Sequence, residues 1–306
     1  MIKKIKRFMC NPIIRFNYLS KLGFYNNLTD EEFIRRKYEL ITGKHLNLDH
    51  PVSYNEKLQW LKLYDKHDEY VELVDKYQVK KIVASKIGQD HIIPTSGVWN
   101  SPQEIDFDSL PNQFVLKTTH DSGGVVICDN KAKLDVNKTK KYLHKSLKRD
   151  FYKVVGREYP YKNVPRKIIA EKYMVDESGT ELKDYKVFCF NGVPKFIQVD
   201  FDRFTGHKRN LYTTDWQYIP ASIEFPTDPN HKIEKPQCLD ELLFLAKKLS
   251  EGFVHVRTDF YIIGKEIYFG ELTFFHGSGF ETFTPDSFGV NVGNLIDLNK
   301  KDNKEK

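Results

Sequence analysis

Residues 256–279 read VRTDFYIIGKEIYFGELTFFHGSG, two runs of strand-forming residues around Gly264-Lys265-Glu266. A three-residue loop there, with glycine free to take a positive φ, makes the stretch a hairpin. That register sets Asp259 opposite Glu271 and Arg257 opposite Thr273, all on one face. Val256, Thr258, Phe260 and Leu272 take the other face. Two facing carboxylates repel unless a cation lies between them, and their oxygen donors suit Mg²⁺. The acids are therefore expected to be tolerable only with a metal present, so that removing one charge would relieve the empty protein. Taken alone, the hairpin reads equally well as an exposed face with solvated charges.

The surrounding chain is long enough, at 306 residues, for a large core. It is 40% hydrophobic and 29% charged, as soluble proteins are. The formal charge of +6 reads as too modest and scattered for nucleic acid. It suits an acidic small molecule, a polyanionic glycan or an anionic membrane surface equally well. Cys10, Cys128, Cys189 and Cys238 follow no metal-ligand spacing, which points to a reducing compartment. No stretch approaches the length of a membrane span. The basic start, MIKKIKRFMCNPIIRF, lacks the apolar core of a signal peptide. It reads either as a segment packed on the main domain or as a peripheral contact at the inner face of a membrane.

Helical character fills residues 1–70, with a Thr29 cap before Asp30-Glu31-Glu32 and helical spacing from Asn55. Residues 71–298 mix strands and helices in an α+β domain, and the polar stretch 299–306 reads as disordered. Strands are expected in HIIPTSGVW, FVLKTT, GVVICD, KIIAEKYMV, DYKVFCFNG and PKFIQVDFD. Helices are expected over Leu134–Asp150 and Cys238–Glu251.

Several of these pieces could carry chemistry. Lys117 ends an apolar strand and must meet water or an anion. The loop after it holds Ser122, Gly123 and Gly124, whose backbone could cover phosphates, although no GK[ST] follows. Glu171, Lys172 and Met174 end another strand, where backbone groups can meet an adenine edge. Asp184 and Lys186 alternate on one face of DYKVFCF. Asp200 and Asp202 form a D-x-D of the kind with which glycosyltransferases hold a metal and a nucleotide sugar, a rival reading of the site.

The order of these pieces resembles the ATP-grasp superfamily, and most closely its TupA-like branch, associated with teichuronopeptide and surface-polysaccharide biosynthesis. The resemblance runs through LVDKYQVKKIVASKIG, LPNQFVLKTTHDSGG, IIAEKYM, DYKVFCFNG and the hairpin. It implies two α+β subdomains gripping ATP behind a helical N-terminal portion. It implies a cytoplasmic ligase that joins a carboxylate to an amine, with glycan-linked substrates and no nucleic acid. By the same resemblance Lys76 and Lys117 contact phosphates under the Ser122-Gly123-Gly124 loop. Glu171, Lys172 and Met174 form the adenine hinge, and Asp184 joins the nucleotide site. Lys186 lies by the transferred phosphate, and Asp259 and Glu271 bind Mg²⁺. Thr273 stands at the third metal position, where many relatives have Asn, and Arg257 holds an oxyanion. Asp202, Arg203 and His207 would border the substrate cleft. A degenerate ATP-binding scaffold is the third reading, favoured by Thr273 alone.

Overall fold

The computed structural model describes residues 8, 10–176, 182–202 and 206–299. Most of the basic start (1–7 and 9), Arg203 and all but Asn299 of the expected tail lie outside the described residues. The first sheet is preceded by the helices α1 (Pro12–Lys21), α2 (Asp30–Thr42), α3 (Tyr54–Tyr64), α4 (Glu69–Val74) and α5 (Gln78–Ile87). Capping boxes start two of them. Thr29 and Glu32 exchange bonds at α2, and Ser53 and Glu56 do so at α3. Each box satisfies amide groups that a helix start leaves without partners.

A four-stranded antiparallel sheet follows, built from β1 (Thr95–Trp99), β2 (Phe114–Thr118), β3 (Val125–Cys128) and β4 (Ile168–Lys172) in the order β1-β4-β2-β3. Period-two alternation in β2 sends Phe114, Leu116 and Thr118 inward, and leaves Val115 and Lys117 on the opposite face. Helix α6 (Val136–Leu147) covers the inner face, where Leu143 packs with Phe114, Leu116, Ile168 and Ala170.

The second sheet has six antiparallel strands: β5 (Asp184–Phe190), β6 (Val193–Phe201), β7 (Lys208–Thr213), β8 (Tyr218–Ile219), β10 (His255–Ile263) and β11 (Glu266–Thr273). Their order is β11-β10-β5-β6-β7-β8. A small pair, β9 (Ser222–Ile223) with β12 (Phe283–Thr284), stands apart. Asn191 and Gly192 turn β5 into β6 with φ of 50° and 76°, the left-handed pair that a two-residue hairpin needs. Helix α7 (Leu239–Ser250) buries Leu239, Leu242, Leu245, Ala246 and Leu249 as one stripe against this sheet.

The β10–β11 hairpin reaches the expected facing pairs by an unexpected route. Ile263 pairs directly with Glu266, so the turn has two residues, Gly264 and Lys265, rather than three. A bulge then slips the ladder between Phe260, opposite Phe269, and Asp259, opposite Glu271. Gly270 is the extra residue, and a Cβ there would stand 3.1 Å from the Asp259 carbonyl oxygen. The shorter turn and the bulge cancel, so Arg257 still faces Thr273.

The boundary expected at residue 70 crosses the main core. Tyr54, Leu58 and Leu61 of α3 pack in one cluster with Val187, Phe188, Val256 and Leu272. Tyr54 is fully buried, and its hydroxyl meets His255 Nε2 at 2.8 Å, while His255 Nδ1 lies 2.9 Å from the Cys189 carbonyl. The carbonyl requires a proton on Nδ1, so the neutral ring accepts from Tyr54 at Nε2. Tyr54→Phe strands that nitrogen and should lower stability by about 1–3 kcal/mol. Urea unfolding should show it as a lower midpoint with an unchanged slope.

Candidate active site

A cleft of about 610 Å³ lies between the two sheets. One wall comes from the four-stranded sheet: Val115, Lys117, Val125, Ile127, Glu171 and Lys172. The other comes from the six-stranded sheet: Asp184, Lys186, Asp259, Tyr261, Gly270 and Glu271. Lys76, Ser122 and Gly123 complete the charged end, and Tyr173, Met174, Val175 and Leu182 come from the connection between the sheets. Val125 and Ile127 are 38% and 54% exposed, an apolar strip that a flat ring could cover.

Of the described residues singled out in the sequence, Gly124, Asp200, Asp202, His207, Arg257 and Thr273 do not line this cleft. A Cβ on Gly124 would collide with the Thr118 hydroxyl, which donates to Asp121 within the loop, so Gly124 lets the loop close on itself. Tyr142 donates to the Gly123 carbonyl at 2.5 Å, and Lys76 donates to that of Asp121. Burial pulls Lys76 below the ordinary lysine range despite the nearby carboxylates of Glu271 and Asp121.

Glu171 was expected at an adenine edge, yet its carboxylate is held by two lysines. Lys117 lies 2.6 Å from one oxygen and Lys80 2.5 Å from the other. Burial opposes its ionisation, but the two cations outweigh it and keep the carboxyl below its usual range. Lys80 escaped the sequence reading. It also donates to the Ile93 carbonyl and the Thr95 hydroxyl, both at 2.8 Å.

The acid pair overturns a second expectation. Asp259 does not wait for a metal: Arg257 grips both its oxygens at 2.6 Å, and Lys186 reaches it at 3.1 Å. Burial works against the charge on Arg257, yet the carboxylates of Asp259 and Glu271 more than offset it and raise its pKa above the ordinary arginine value. From Arg257 and Lys186 the pairing continues through a closed ring. Lys186 lies 3.8 Å from Asp200, Asp200 is 2.7 Å from Arg209, and Arg209 is 2.9 Å from Glu281. Glu281 meets His276 Nε2 at 2.7 Å, and His276 Nδ1 contacts the Arg257 guanidinium. Burial pushes the His276 imidazole down to about 4, so the ring closes through a neutral side chain. Asp184 joins from the cleft, 3.0 Å from Lys186.

This ring disposes of the D-x-D reading. Asp200 is buried and taken by Arg209, while Asp202 sits exposed past the strand end at φ 53°. The His207 ring packs at a tilt against Phe225, centroids 3.9 Å apart, and lies 3.4 Å from Asp200.

Glu271 is different from Asp259. Its side chain is 45% exposed and lines the cleft, with Lys76, Arg257 and Lys186 holding it ionised against burial. Thr273 donates to it at 3.2 Å and accepts from Arg257 at 3.0 Å, so that hydroxyl orients the carboxylate. Among the described residues no group of three or more His, Cys, Asp or Glu side chains forms a metal cage. That donor set fits Mg²⁺, which is commonly held by one or two carboxylates and completed by water and phosphate.

Residues 56–297 match the family described as TupA-like ATPgrasp. The chain belongs to the TupA-like ATP-grasp family, and its α+β fold is that of ATP-grasp proteins. A D-alanine–D-alanine ligase from Helicobacter pylori is similar at 16% identity, over 74% of this chain and 63% of its own, with a TM-score of 0.38. An N5-carboxyaminoimidazole synthetase from Staphylococcus aureus, solved with ADP, is similar at 16% identity, over 71% of this chain and 50% of its own, with a TM-score of 0.43. The chain therefore spans between half and two thirds of the lengths of these two ligases. No curated protein matches it.

Because Asp259 neutralises two buried cations, Asp259→Asn should destabilise the ligand-free protein by about 3–5 kcal/mol. Glu271→Gln, half exposed, should change stability by less than about 1 kcal/mol. Thermal melts of the two variants without nucleotide distinguish them, and a stabilised Asp259→Asn would restore the simple repulsion account.

Burial also drives His255 down to about 3. Both His255 and His276 therefore stay neutral in the fold while the unfolded chain takes up protons below the usual histidine pKa. Their contribution is complete above that value and is lost as pH falls, towards about 4 for His276 and about 3 for His255. Between neutrality and pH about 5, each should cost about 2 kcal/mol. Urea midpoints measured across that range should fall steeply; a flat profile would mean that the rings are charged in the fold.

Proposed function

We propose that the chain is an ADP-forming, ATP-dependent carboxylate–amine ligase acting in the cytoplasm on a sugar acid or amino acid of a cell-surface polysaccharide. The observation that carries this reading is the cleft itself. An apolar strip and a connecting segment on one side lead to Lys76, Lys117 and Lys186, which converge with Glu271 and Asp259. A nucleotide needs both ends, a surface for the base and cations for the phosphates.

A carboxylate is a poor acyl donor because its leaving group would be oxide. Phosphorylation by the ATP γ-phosphoryl gives an acyl phosphate, from which phosphate departs when an amine adds. Such transfer depends on charge placed around the phosphoryl oxygens more than on a protein nucleophile. Lys117 and Lys186 are already aimed by Glu171 and by Asp184, Asp259 and Asp200. Their charges therefore need little rearrangement when phosphates arrive. Glu271 and Asp259 would hold Mg²⁺, which supplies further positive charge at the phosphates, with Thr273 orienting Glu271. Arg257, buried outside the cleft lining with its donors on Asp259, His276, Glu271 and Thr273, acts in this reading by positioning and not as the oxyanion donor expected from the sequence. Its grip on Asp259 fixes the metal acids.

The polysaccharide assignment rests on the family alone, which supports a surface-glycan substrate without identifying the acid or the amine. Incubation with ATP, Mg²⁺ and a panel of uronic and amino acids should release ADP and inorganic phosphate. Hydroxylamine should trap the activated acid as a hydroxamate. Release of AMP and pyrophosphate, or transfer from a nucleotide sugar without ATP, would overturn the reading.

A further inference from the structure

The charge of the molecule is less scattered than its total suggests. Residues 1–29 contain Lys3, Lys4, Lys6, Arg7, Arg15 and Lys21 and no aspartate or glutamate. With 48 Lys and Arg against 42 Asp and Glu overall, the rest of the chain is formally neutral, so the whole excess of +6 belongs to this start.

The described part of the same segment also carries an apolar ridge. Helix α1 buries Phe16 and Ser20, and the Phe16 ring packs on Phe33 at 5.2 Å and on Tyr25 at 4.5 Å. Helical spacing then sends Arg15, Tyr18 and Leu22 to the opposite side. Tyr18 is 51% exposed and Leu22 57%, and the Phe8 ring lies 5.3 Å from that of Tyr18. The helix ends in a Schellman motif: Phe24 N–H donates to the Leu19 carbonyl and Gly23 N–H to that of Ser20, both at 3.1 Å, with Gly23 at φ 84°. In that motif the residue after the glycine usually packs back on the last turn. Phe24 instead stands 70% exposed, held outward by a hydrogen-bonded backbone.

We infer that this face docks on an anionic lipid bilayer. Charge complementarity selects the occupant. Leu22, Phe24 and Tyr18 are suited to the acyl–headgroup boundary, and an acid-free basic segment is suited to negatively charged headgroups. A polyanionic glycan would be met by the cations but has no use for exposed Leu22 and Phe24. Of the neighbouring acids of α2, Glu31 is neutralised by Arg35 at 2.8 Å. Docking there is independent of the reaction proposed above.

Flotation with vesicles tests it. The full chain should float with phosphatidylcholine vesicles containing phosphatidylglycerol, should float much less with phosphatidylcholine alone, and should be released by salt. Tyr18→Ser, Leu22→Ser and Phe24→Ser together should weaken binding at least about tenfold. Lys21→Gln should weaken it about fivefold. Melting temperatures of these surface variants should stay near that of the parent, which separates lost docking from lost folding. Failure to bind anionic vesicles, binding to a soluble polyuronate in their place, or a dimer in sedimentation that the triple variant abolishes would each overturn the proposal.

Discussion

Everything around the cleft depends on neutralising Asp259. A carboxylate with almost no solvent contact is costly unless matched, and Arg257 matches it with two parallel donors while Lys186 adds a third. Those cations are buried in turn, so each needs further acids, and the demand propagates through Asp200, Arg209 and Glu281 until His276 closes it. Strands β5, β6, β7 and β10 and the segment after β11 are thereby tied by charge as well as by ladder bonds. Such a ring contributes little net stability against an apolar core of equal volume. Its return is positional: Lys186 and Asp259 meet the cleft in one fixed geometry.

Helix α3 extends that positional control to the turn His276-Gly277-Ser278-Gly279. Gly277, Ser278 and Gly279 all have left-handed φ, near 54°, 56° and 66°. A non-glycine residue is seldom found there without outside support. Gln59 supplies some of it, donating to the Gly279 carbonyl at 2.6 Å and to that of Ser278 at 3.2 Å. Lys62 reaches the Ser278 hydroxyl at 3.2 Å and the Gly156 carbonyl at 2.9 Å, and burial pushes its ammonium down to about 7. The N-terminal helices are thus part of the mould in which His276 is set.

The parts of the site that follow strand alternation were legible in the sequence. Lys117 on one sheet and Lys186, Asp259 and Glu271 on the other are each sent by two-fold periodicity to the cleft face of their own sheet. The hairpin register was right in its pairs and wrong in its turn, because a bulge at Gly270 leaves no mark beyond a glycine inside a strand. Lys80 was hidden because on α5 it reads as one more polar residue of an amphipathic helix, and its partner Glu171 is joined to it only by the fold. Arg209, His276 and Glu281 were hidden for the same reason: a ring closed across distant segments has no local spacing. Thr273 and Arg257 were found as residues, but their commitment to Glu271 and Asp259 is a matter of three dimensions.

Glu171 gives the cleft a resident anion. With one oxygen on Lys117 and the other on Lys80, it already occupies the electrostatic role that an incoming phosphate would take. Any anion reaching Lys117 therefore arrives as a competitor, and its affinity is the difference between two contacts rather than the whole of one. Lys80 holds the other oxygen of Glu171 at 2.5 Å, so an anion that took Lys117 would not leave that carboxylate buried and alone. Binding there is a trade of partners for Lys117, one anion for another, made at an ammonium already held in place.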